Sequence, residues 1–137
     1  MSNHFNLSDA EFIQQFSDLT LNPSLFTHEA HLRLAWIHLK LFGEEAAITT
    51  ICEEIRCFAT HHGAPDKYNE TVTVAAIKAV YHFRQKSKSD TFAEFITEFP
   101  RLKNNFKELM AFHYKMDIYN SPEARKRYLE PDLLPFD

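Results

Sequence analysis

Apolar residues recur along this chain at intervals of three and four, the spacing that gathers them on one side of an α-helix. Ser8-Asp9-Ala10-Glu11 reads as a capping box, and Phe12, Ile13, Phe16 and Leu19 make the stripe that follows. That first helix is expected to end before Asn22-Pro23. Thr27 can cap a second helix, whose apolar run closes at Phe42 because Gly43 tolerates the left-handed conformation that stops a helix. Ala47, Ile48, Ile51, Cys52, Ile55, Phe58 and Ala59 define a third from Glu44 to His61-His62-Gly63, with Glu53, Glu54 and Arg56 on its wet side.

A fourth helix begins at Asp66 or Asn69 and runs to about Lys86. Its β-branched stretch Thr71-Val72-Thr73-Val74 suits a strand by propensity, yet Ala75, Ala76, Ile77, Val80 and Phe83 continue at helical spacing. Thr73, Ile77 and Val80 are expected to face inward, with Lys78, His82 and Gln85 in water. Thr91 and Glu94 form a second capping box ahead of Phe92, Phe95, Ile96 and Phe99, and Pro100 ends or bends that helix. Phe106, Leu109, Met110 and His113 predict a sixth, and Ser121-Pro122-Glu123 opens a seventh with a cap, a first-position proline and an early acid. The segment from Glu130 to Pro135 holds two prolines and is expected to lie extended against the body. The pattern predicts an all-α, single-domain helical bundle of five to seven helices over residues 1–137, with an extended C-terminal tail.

Composition strengthens this reading. The 137 residues contain two glycines, too few for the turns and bulges of a β fold, and thirteen phenylalanines to fill a core. A net charge of −4 gives no general attraction to nucleic acid or anionic lipid. The basic clusters at residues 84–88 and 125–127 read as solvated helix ends. No apolar run reaches the length of a membrane span, and the first six residues lack the features of a signal peptide. Cys52 and Cys57, five apart on one helix, point to different sides, which suits idle thiols in a reducing cytoplasm.

Chemistry concentrates on the second helix. Glu29, Arg33 and Lys40 share one narrow face, and opposite them His28, His31, Ala35 and His38 fall within an arc of roughly 80° directed at the core. A histidine pointed inward needs a carboxylate, a carbonyl, a water or a metal as partner. Glu70, in the first turn of the fourth helix, is the candidate carboxylate. If the two helices are neighbours, His28, His31 and Glu70 form a two-histidine, one-carboxylate set suited to Zn(II), Mn(II) or Fe(II), or a metal-free hydrogen-bonded pocket with acid and base groups. Tyr68, Asn69 and Arg125 are candidate ligand contacts: a phenolic proton, an orienting amide and an anion clamp.

The other histidines read more plainly. His38 suits a hydrogen-bonded core residue, His61 and His62 the carbonyls ending the third helix, His4 a fraying terminus and His82 the surface, while His113 is an outside candidate for a further ligand. The H-E-A-H run lacks the spacing of a zinc protease, and no nucleophile elbow, phosphate loop or dinucleotide fingerprint occurs.

Four segments, F-T-H-E-A-H-L-R-L-A-W at residues 26–36, Y-N-E-T-V-T at 68–73, S-P-E-A-R at 121–125 and P-D-L-L-P at 131–135, resemble a family of small bacterial proteins of unknown function. The family pattern runs F-x-H-x-x-H-L-x-x-A-W, Y-H-E-T-x-T, S-P-x-A-R and P-D-L-x-P over about residues 25 to 136. The resemblance implies that His28, His31, Glu70 and Arg125 are its motif positions, with Asn69 standing where the family carries histidine. Two functions are compatible with these residues. One is a small helical enzyme or small-molecule binder using the His/Glu site; the other is a non-catalytic interaction module, its network structural, in which Trp36 or the tail docks a partner or a second copy as a homodimer.

Overall fold

The computed structural model describes residues 3–136. Eight α-helices are present among them, with no strand, so the all-α class holds and the helix count exceeds the expected five to seven. The additional helix arises at Pro100: the proline that terminates one helix supplies a φ of −65° that starts the next at Arg101. Contacts divide the chain into two compact units, one up to Tyr68 and one from Asn69 onward.

In the first unit, α1 (Asp9–Ser17) begins at the Ser8/Glu11 capping box, both halves of which form. Leu19 lies beyond the helix with φ of +67°, so it is part of the turn and not of the stripe. The second helix, α2 (His28–Phe42), is capped by the Thr27 hydroxyl, which accepts from Ala30 N–H at 3.2 Å. Gly43 alone separates α2 from α3 (Glu44–His61), and its φ of +87° is the reason glycine stands there: a Cβ has space at that point, but the backbone conformation is one L side chains rarely adopt. Short 3₁₀ turns at His4–Asn6, Pro23–Leu25 and Pro65–Lys67 complete the unit. Phe12, Phe16, Leu32, Leu34, Trp36, Ile51 and Phe58 are core residues here. Trp36, expected near the polar side as an exposed anchor, is 2% exposed. The reason is that α2 is covered nearly all round, from Ala30 to Leu39 with only His31 partly open, so no side of its middle stays wet.

The second unit holds α4 (Glu70–Lys86), α5 (Phe92–Glu98), α6 (Arg101–Asn104), α7 (Phe106–Ala111) and α8 (Pro122–Lys126). Asn69, not Asp66, caps α4. Thr71 is fully buried and pins the end of α8 to α4: its hydroxyl donates to Arg127 O at 2.7 Å and accepts from Leu129 N–H at 3.0 Å. The tail then follows without helix or strand, but it bends at residues 132–134 where an extended run was expected. Leu133 N–H donates to His113 O at 2.9 Å, Lys115 N–H to the Asp132 carboxylate at 2.9 Å, and Tyr114 O–H to Leu129 O at 2.8 Å. No helix among the described residues is long and apolar enough to cross a membrane.

Candidate functional site

His28 and His31 sit where α2 begins, because the Thr27 cap fixes the helix start one residue before His28. His28 is exposed and not turned to the core. His31 is half-buried, its ring 3.9 Å from that of Phe26, which in turn meets Phe16 at 4.6 Å and Phe58 at 5.2 Å. Phe58 also meets His62 at 4.5 Å, so His31 is one end of an aromatic row crossing the unit. Burial foremost, and then the neighbouring His28, hold the His31 pKa down at about 4. A ring in that position is neutral at physiological pH. The positive end of the α2 dipole lies at the same turn and favours the uncharged form further. Neither ring nitrogen of His31 makes a hydrogen bond among the described residues.

Of the remaining candidates, Tyr68 belongs to the first unit and Asn69, Glu70 and Arg125 to the second. Tyr68 is half-buried at the end of the first unit, with the Arg56 guanidinium 5.6 Å from its ring centre. Glu70 is the first residue of α4 and half-buried. The Asn69 amide is committed on both sides: its oxygen accepts from Val72 N–H at 3.0 Å and its nitrogen donates to Ile118 O at 2.8 Å. An amide here holds α4 to the loop after α7. Arg125 is exposed on α8, with Nη2 3.5 Å from Tyr119 O. Among the described residues no group of three or more His, Cys, Asp or Glu side chains is arranged to hold one metal ion.

His38 and His113 also depart from the sequence reading. His38 is buried at 4% exposure, but both ring nitrogens lack a hydrogen-bond partner among the described residues, with a carboxylate oxygen of Glu54 on α3 3.9 Å from Nε2. Burial lowers the His38 pKa and raises that of Glu54, so each drifts toward its neutral form. Unpaired buried nitrogens are a liability to the fold. His38→Leu is therefore expected to stabilise the protein by about 1–2 kcal/mol in urea denaturation, and a loss of stability would show that the ring is satisfied by bound water. His113, the outside ligand candidate, instead donates from Nδ1 to Leu134 O at 2.8 Å and stacks on Phe136 at 4.0 Å, which closes the tail onto α7.

No protein-family model, curated protein or solved structure matches the chain. The site therefore rests on its own geometry.

One polar centre escaped the sequence reading altogether. His4, expected to fray, is 2% exposed, and Arg33, expected on the wet face of α2, is 4% exposed. Arg33 donates through Nη1 to His4 Nδ1 at 3.2 Å and to His4 O, through Nη2 to Leu7 O at 2.8 Å, and through Nη2 and Nε to Asp9 at 2.9 and 3.2 Å. The guanidinium is always protonated, so Nδ1 of His4 must be the acceptor and Nε2–H the donor to Glu29 at 2.8 Å. Phe12 and Phe5 cover the guanidinium, its carbon 4.9 and 5.6 Å from their ring centres. The available signal was Arg33 itself, a charge embedded in Leu32-Arg33-Leu34-Ala35-Trp36-Ile37.

Proposed function

We propose that the chain binds a small molecule at the start of α2, with neutral His31 as the contacting group and His28 beside it. The observation that carries this reading is the state of His31: uncharged, packed against the tilted Phe26 ring, partly open, and without a hydrogen bond to either ring nitrogen among the described residues. A neutral imidazole can donate at one nitrogen and accept at the other, which suits either ligand recognition or acid–base chemistry. The helix dipole supports the metal-free form over one built on Zn(II), Mn(II) or Fe(II), because its positive end opposes a cation at this turn. Glu70 and Arg125 belong to the second unit and enter the reading through the family resemblance, so they form a second arm of the test. A reducing cytoplasm is the compartment that suits the free thiols Cys52 and Cys57.

Fragment screening by NMR tests this proposal. Binders are expected to shift the His28 and His31 ring protons, and His31→Gln to weaken them by roughly tenfold, the loss of one good hydrogen bond. Should no fragment move those resonances, the small-molecule reading is wrong. Metal is checked in parallel: a rise in melting temperature on adding Zn(II), Mn(II) or Fe(II) that His31→Ala abolishes would restore the metal form.

A second reading, an interaction module, is favoured by one specific feature. Phe112, Leu133 and Leu134 are exposed at 54, 50 and 58%, and the backbone bond from Leu134 N–H to Phe112 O brings the last of them beside the first. Under this reading the His4–Glu29–Arg33 network is structural and the tail, not the buried Trp36, meets a partner or a second copy.

A further inference from the structure

The outer face of α3 carries chemistry that the His31 reading does not use. Thr49, Glu53, Arg56, Cys57, Thr60 and His61 line an open groove of about 680 Å³ along that helix, and all six are exposed. The two hydroxyls are turned back to their own helix, Thr49 to Glu45 O at 3.2 Å and Thr60 to Arg56 O at 2.9 Å. The Arg56 guanidinium is drawn over the Tyr68 ring. Glu53, Cys57 and His61 are left as the groups facing the groove, one turn apart in succession.

Cys57 is a free, exposed thiol, and His61 is the final residue of the eighteen-residue helix α3. Residues four apart on a helix have Cβ atoms about 5–6 Å apart. A thiolate and an imidazole there can close on one ion with bonds of about 2.3 Å to sulfur and 2.0–2.1 Å to nitrogen. The pair occupies the last turn, where the negative end of the helix dipole favours a cation. This is the reverse of the field at His28 and His31. Glu53 adds a carboxylate one turn further back, able to accept a hydrogen bond from a metal-bound water.

We propose that Cys57 and His61 form a two-ligand site for a thiophilic divalent cation such as Zn(II), with water completing its coordination. On binding, the Cys57 S–H proton leaves to solvent as the sulfur–metal bond forms, and His61 coordinates through an unprotonated ring nitrogen. Affinity therefore rises with pH. Two protein ligands agree with the lack of any three-donor group among the described residues, and they place the site in an exchangeable class rather than a fold-determining one.

Co(II) titration of the full chain, reduced and free of chelator, is the test, read as the thiolate-to-cobalt charge-transfer band in the near ultraviolet. The expected result is a band that saturates at one equivalent, is displaced by Zn(II), vanishes in C57S, and needs about tenfold more Co(II) in H61A. It should be unchanged in H31A, which separates this site from the one at the start of α2. All the substituted groove residues are exposed, and circular dichroism of each variant confirms that the helix is intact. The proposal is overturned if wild-type protein gives no band, if C57S keeps it, if H61A binds as tightly as wild type, or if H31A removes it.

Discussion

Replacing Arg33 with methionine is expected to cost about 3–5 kcal/mol of stability, the penalty for breaking a buried charged network from one side. Methionine fills much of the same volume, so the loss reports on hydrogen bonds and not on a cavity. Without the guanidinium, the carbonyls of His4 and Leu7 and the Nδ1 of His4 lose their donors together, in a region where water has little access. Such a cost is a large share of the roughly 5–15 kcal/mol that holds an ordinary domain. Arg33→Lys should recover little of it, because an ammonium lacks the planar fork that makes five hydrogen bonds to four acceptors at once. Asp9→Asn should cost far less, since the Asp9 side chain is 49% exposed and its ion pair is screened. Urea melts of the three variants decide the matter. Near-equal losses for Asp9→Asn and Arg33→Met would show that the ion pair, not the buried carbonyls, is the important contact.

Acidification should weaken the fold over a window set by His31. Its folded pKa is about 4 and the ordinary value for histidine is 6.5, so between those values the unfolded chain takes up a proton that the folded chain refuses. Stability is then complete above pH ~6.5, declines as the pH falls toward ~4, and levels off below that. The shift corresponds to roughly 2–3 kcal/mol at 1.36 kcal/mol per unit, taken at the lower side because the ring is partly open to water. His38, with its pKa also lowered by burial, steepens the decline. Glu54 acts in the opposite sense: its raised pKa makes the folded state the better proton acceptor, which favours the fold as the pH falls. Urea midpoints between pH 8 and pH 4 should drop in the wild type and drop much less in His31→Gln. Parallel curves for the two proteins would show that His31 is not held neutral by the fold.

Helix positions were largely legible from the residues. Thr27, Thr91 and Ser121 cap where their spacing to the following residues said they would, and Gly43 breaks α2 from α3, because caps and breakers act within one turn of chain. Pro100 shows the limit of local reading, since the same ring that stops one helix can start another. The face assignment on α2 was only half right. His38 is buried as expected, but His28 is exposed, and the supposedly wet Arg33 and Glu29 are bound by the N-terminal turn.

The sequence by itself determined the helical class, the cap and stop of α2, and the placing of two imidazoles three residues apart in its first turn. These follow from backbone propensity and side-chain period, which need no distant partner. Only the tertiary structure decided which side of α2 is wet, that Asn69 is consumed in holding a loop, and that His38 is buried unpaired while His4 is fully bonded. Those outcomes depend on contacts made across 25 to 49 residues of chain, as between His4 and Glu29 or Asn69 and Ile118. A periodic pattern can mark a residue as polar and inward, but the partner that satisfies it is chosen by packing.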